Sequence, residues 1–86
     1  MITINQIDSI SEVKLNLQNL NLFVSENVKT ELLKIFQRSN AKVLMNMEGV
    51  SFLDSSGFAV LLTASKEAEK TNGQILFCNI SDSALR

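Results

Sequence analysis

The chain contains no histidine and a single cysteine, Cys78, in 86 residues. Without histidine a serine hydrolase lacks its usual base, and a zinc site lacks both the imidazoles and the second thiolate it would need. The lone thiol excludes a disulfide within one chain. Its place in Ile75-Leu76-Phe77-Cys78 reads as a buried structural cysteine rather than a reactive one. Proline, tryptophan and tyrosine are also missing, so the aromatic content rests on five phenylalanines. Basic runs are missing too: 8 Lys and Arg stand against 9 Asp and Glu, for a net charge of −1. Direct contact with nucleic acid is therefore not expected. No stretch reaches the ~18 to 20 continuous apolar residues of a membrane span, and Met1-Ile2-Thr3-Ile4-Asn5-Gln6 lacks the charged and apolar regions of a secretion signal. These features lead us to expect a cytoplasmic protein without a membrane span. No Gly-x-x-x-x-Gly-Lys loop occurs, so nucleotide hydrolysis has no support, and neither a metal nor a cofactor is expected.

What is present is apolar surface in regular patterns. Hydrophobic residues make up 45% of the chain and charged ones 20%, a globular balance. A chain this short buries about 60% of the surface exposed when unfolded, so residues 1–86 read as one small domain. Ile2, Ile4 and Ile7, and then Val13, Leu15 and Leu17, show the alternation of half-buried strands, with a hairpin turn expected over Asp8-Ser9-Ile10-Ser11-Glu12. From Phe23 onward, Val24, Val28, Leu32, Ile35 and Phe36 form one helical stripe, for which Asn21 or Ser25 is the expected cap. Lys42 to Met47 is a near-continuous apolar run that predicts a strand buried on both faces. A second helix follows as far as about Thr71, apolar all round from Phe58 to Leu62, and Asn72-Gly73 supplies a left-handed stop. Gln74 to Ile80 predicts a last strand, and Ser81 to Arg86 the capped first turn of a third helix. The order β-β-α-β-α-β predicts an α/β layer structure with a mixed sheet and some parallel pairing.

The chemistry concentrates at Asp54-Ser55-Ser56-Gly57, where a strand turns into a helix. A helix start leaves backbone N–H groups unpaired and carries roughly half a positive charge, so it accepts a phosphate or a carboxylate. Ser55 is thus a plausible phospho-acceptor, with Ser56 second; Asp54 is placed to cap the helix or orient a hydroxyl, and Gly57 to let a partner approach the backbone. On local chemistry alone, a plain helix cap explains the same residues. Around Ser55 a nucleophile elbow fails because Leu53 occupies the first glycine position. A phospho-aspartate receiver built on Asp54 would need a further acidic cluster, a later lysine and a longer chain.

The run Val43-Leu44-Met45-Asn46-Met47-Glu48-Gly49-Val50-Ser51-Phe52-Leu53-Asp54-Ser55-Ser56-Gly57-Phe58, followed by a helix, Asn72-Gly73 and a strand ending Cys78-Asn79-Ile80-Ser81, resembles the STAS domains of bacterial anti-sigma factor antagonists. That resemblance implies a STAS-like fold and no catalysis. It implies a phosphorylation-controlled switch that, unphosphorylated, sequesters an anti-sigma factor with serine kinase activity and releases a sigma factor, and that a PP2C-type phosphatase resets. It places the phosphate on Ser55 and partner contacts at Asp54, Ser55, Ser56, Gly57, Asn21 and Phe58. Gln18-Asn19-Leu20-Asn21 stands where relatives carry an acidic Gly-Glu-Leu-Asp-like loop, without its charges. Relatives also continue past the point corresponding to Arg86, so the domain is expected to be shortened at the C-terminus, with a homodimer as one way to cover the apolar surface left bare. The scaffold subunit of a lipid-transporting ABC system resembles the same fold and motif and is the alternative. Phe52 is expected in the core.

Overall fold

Ile7 and Ile10 face each other across a two-residue turn, Asp8-Ser9, in which Asp8 takes the left-handed conformation (φ 56°). The turn is therefore shorter than the five residues expected. A residue at positive φ closes the hairpin in two, which returns Ile10 to Glu12 to the strand. The computed structural model describes residues 1–84; Leu85 and Arg86, the end of the expected third helix, lie outside it. Strands β1 (Ile2–Ile7) and β2 (Ile10–Leu15) are antiparallel. After β2 come a two-residue strand β3 (Asn19–Leu20), helix α1 (Leu22–Ile35), β4 (Lys42–Asn46), a second two-residue strand β5 (Phe52–Leu53), helix α2 (Ser55–Lys70) and β6 (Gln74–Cys78). The order of the main sheet is β1-β2-β4-β6, with both β2–β4 and β4–β6 parallel.

That order explains where the core lies. The chain steps from β2 to β4 to β6 in one direction, and crossovers of one hand stepping the same way lay both helices on the same face of the sheet. Ser11, Val13, Leu15, Val43 and Met45 point to that face and are buried. They pack with Val28, Leu32 and Phe36 from the α1 side and Val60, Leu61, Ala64 and Ala68 from α2. Among the described residues the opposite face has no helix. Leu44 on it is half-buried, Leu76 is 67% exposed and Cys78 is half-buried, so β4 is not buried on both faces as its apolar run predicted, and β6 is open on this face too. Polar side chains bridge much of this open face: Asn46 Nδ2 donates to Glu12 Oε2 (3.4 Å), Lys14 Nζ to Glu48 Oε1 (3.2 Å) and Asn79 Nδ2 to Asn46 Oδ1 (2.9 Å).

The helix ends follow their chemistry. Asn21 caps α1, its Oδ1 accepting from Phe23 N at 3.0 Å. Ser25, the other expected cap, lies inside the helix with its hydroxyl donating to Leu22 O (3.2 Å). Helix α2 ends through left-handed Asn72 (φ 58°). Gly73 answers a different need, since a Cβ there would sit 2.7 Å from the Ala41 carbonyl oxygen. The turn at residues 82–84 is held by Ser81, whose Oγ accepts from Ala84 N (3.2 Å).

Candidate functional site

Two strand-to-helix corners lie side by side. Strands β3 and β5 pair in parallel, Asn19 with Phe52 and Leu20 with Leu53, and each leads straight into a helix through an Asx residue, Asn21 and Asp54. Neither two-residue strand is visible in the sequence, because periodicity cannot register over so few positions. The backbone ties continue to the caps: Asp54 N donates to Leu20 O at 3.3 Å, and Ser51 N to Gln18 O at 2.9 Å.

Asp54 serves both helices. Its Oδ1 accepts from Gly57 N at 2.9 Å, capping α2, and its Oδ2 accepts from Leu22 N at 3.1 Å, the first residue of α1. One carboxylate thus satisfies an orphan amide at each of two helix starts, and its negative charge meets the positive ends of both dipoles. Sequence reading anticipates the first contact and not the second, which joins residues 32 apart.

Ser55 is the first residue of α2 and is exposed, while Ser56 is half-buried. Among the described residues the Ser55 hydroxyl makes no hydrogen bond, so nothing holds it inward. Gly57, expected to face a partner, is buried instead. A Cβ there would overlap the Leu20 carbonyl oxygen and come within 2.9 Å of Leu20 Cγ and Leu53 Cδ1, so the glycine serves the close approach of α2 to β3. Phe58 is exposed, at 59%. Phe52, expected in the core, is 52% exposed, because its neighbour Leu53 takes the inward position of this short strand. Phe23 is the most exposed large apolar residue, at 89%, with Leu22 at 66%. Its signal in the sequence is an apolar residue at the helix start lying off the Val24–Val28–Leu32 stripe.

The surface at these corners thus combines a free serine hydroxyl, a carboxylate already engaged by two amides, and three exposed phenylalanines. Beside it an apolar groove of about 300 Å³ runs between α2 and the end of β6, bordered by Leu53, Phe58, Leu62, Phe77 and Ile80. Among the described residues no three His, Cys, Asp or Glu side chains gather into a metal-binding group. No helix among them is long and apolar enough to cross a membrane.

The model of the STAS domain family matches residues 1–86. A curated relative, the anti-sigma F factor antagonist of Lysinibacillus sphaericus, is 38% identical over 47 residues, which are 55% of this chain and 40% of that protein, so the match spans two fifths of the relative's length. The solved structure of the anti-sigma factor antagonist SpoIIAA in its unphosphorylated form superposes with a TM-score of 0.75 at 24% identity, over 96% of this chain and 76% of that one. A STAS-domain anti-sigma-factor antagonist from Planctomyces limnophilus superposes at 0.86 and 23% identity, over 98% and 75%. At those identities the two structures speak for the fold.

Proposed function

The chain belongs to the STAS domain family, and from that premise we propose that it is an anti-sigma factor antagonist whose partner binding is switched by phosphorylation of Ser55. In its unphosphorylated form it sequesters an anti-sigma factor that is also a serine kinase, and the sigma factor is released. A PP2C-type phosphatase removes the phosphate. The protein acts by binding, in the cytoplasm, with no catalytic step of its own. The observation that carries this reading is the exposed Ser55 hydroxyl at the start of α2, at two joined corners whose elements also carry the exposed Phe23, Phe52 and Phe58.

The physics of the switch follows from that arrangement. A phosphate brings about −1.5 to −2 charges and three acceptor oxygens, and at the amino end of α2 the free protein tolerates it. A partner that closes over the start of α2 must desolvate it, which is costly for an ion without a counter-charge. No change of fold is required. A hundredfold loss of affinity needs only about 2.7 kcal/mol.

The test is to capture the wild-type chain and Ser55→Ala from source-cell lysate with Mg-ATP, locate phosphate and partner by mass spectrometry, and titrate the partner with wild type, Ser55→Ala and Ser55→Asp. We expect phosphate on Ser55, a histidine-kinase-like ATPase in the eluate, retained binding by Ser55→Ala and at least hundredfold weaker binding by Ser55→Asp. Equal affinity of wild type and Ser55→Asp would defeat the switch. An unmodified Ser55 with transporter ATPase subunits bound would move the protein to the lipid-transport alternative.

A further inference from the structure

We propose that Asp54 is a positioning residue that locks the start of α1 to the start of α2, so that Phe23 is presented on the same docking surface as Ser55. The proposal rests on the antagonist reading above for its partner, but the lock itself is a property of the free chain. Both carboxylate oxygens are already engaged, Oδ1 by Gly57 N and Oδ2 by Leu22 N. Asp54 therefore has its strongest acceptor directions turned into the protein rather than toward a partner. The carboxylate holds Leu22, the residue before Phe23.

The need for a lock is visible in what else holds this junction. β3 and β5 contribute only two paired residues each, and Asn21 caps α1 without reaching α2. Leu22 and Phe23 are both largely exposed, and the core reaches them only through Val24 and Ser25 of the same turn. The aspartate bridge adds to the packing of Leu20 and Leu53 at Gly57 a side-chain hydrogen bond from the second corner to the exposed first residue of α1. A ring held in one place binds with less loss of conformational freedom than one that wanders.

Asp54→Asn separates the bridge from the cap. Asparagine caps a helix as well as aspartate does, so its oxygen keeps the bond to Gly57 N. Its amide group then replaces Oδ2 and turns a donor toward the Leu22 N–H, where no bond forms. NMR amide exchange in the free chain reads this directly. We expect Leu22 to exchange at least tenfold faster in Asp54→Asn while Gly57 is unchanged, and unaltered exchange at Leu22 overturns the lock.

Titration of the histidine-kinase-like anti-sigma factor of the same organism with wild type, Asp54→Asn, Phe23→Ala and the double variant then reads what the lock does. Asp54→Asn should weaken binding at least tenfold in the wild-type background and less than threefold when Phe23 is already alanine, since both changes remove the same ring from its place. The same factor in both backgrounds, or no loss at all, overturns positioning through Phe23. Failure of the wild-type chain to bind such a factor refutes the antagonist reading, and the amide measurement then decides the lock on its own.

Discussion

Replacing Gly57 by alanine should be among the most damaging single-methyl additions in this chain. The new Cβ would overlap the Leu20 carbonyl oxygen and crowd Leu20 Cγ and Leu53 Cδ1, each at 2.9 Å. The nearest obstacle is backbone, so no side-chain rotation relieves it, and α2 must lift from β3. Overpacking of this kind costs about 3 kcal/mol, the upper part of its usual range. Lifting α2 also stretches the Asp54 cap on Gly57 N, worth about 1 kcal/mol. Alanine's better helix propensity returns at most about 1 kcal/mol. The net expectation is a loss of about 3 kcal/mol.

Urea unfolding followed by circular dichroism measures it. With a slope of about 1 kcal/mol per molar for so small a protein, the midpoint falls by about 3 M, and the thermal midpoint by roughly 12 °C or more. Gly49→Ala is the control, because its Cβ meets nothing within 4 Å and only the backbone at φ +93° objects. That strain costs about 1 to 2 kcal/mol. A Gly57→Ala chain within 0.5 kcal/mol of wild type, or more stable than Gly49→Ala, would refute the close α2–β3 packing.

Phe36, fully buried at the end of α1, should lose about 3 to 5 kcal/mol on truncation to alanine, which the same denaturation experiment reads as a large drop in midpoint or a failure to fold. Phe23→Ala should leave stability within about 0.5 kcal/mol and yet weaken the anti-sigma partner at least tenfold in a titration, the mark of an exposed anchor. Leu76→Gln, on the face without helices, should also change stability by no more than about 0.5 kcal/mol, whereas a strand covered on both sides would lose several times that in a urea melt.

Much of this was legible because it repeats over many residues. The stripe of α1, the run of β4 and the Asp54-Ser55-Ser56-Gly57 corner between a strand and a helix all carry enough positions to show period and context. One-sided burial was not legible, because Leu44 and Leu76 are as apolar as the buried Val43 and Met45, and only the order of the strands decides which face the helices cover. Gly57 was read outward and lies inward, since a glycine looks the same whether a partner or Leu20 approaches it. Phe52 and Phe23 escaped for a related reason. Aromatic residues usually mark the core, but Phe52 sits in a two-residue strand that no pattern reveals, and Phe23 stands at the start of α1 off its buried stripe. The second hydrogen bond of Asp54 is a long-range fact joining positions that local chemistry treats separately.

The union of the two corners also has a consequence in time. Residues 19–22 and 52–54 lie far apart in the chain, and closing so long a loop is an entropic toll that local contacts do not share. A chain cut off at Asn46 lacks the second corner and α2 altogether, and with them Ser55 and half of the core's helical cover. On the proposed reading, a partner that recognises this end of the molecule requires both corners together, and so tells the folded chain from a partial one.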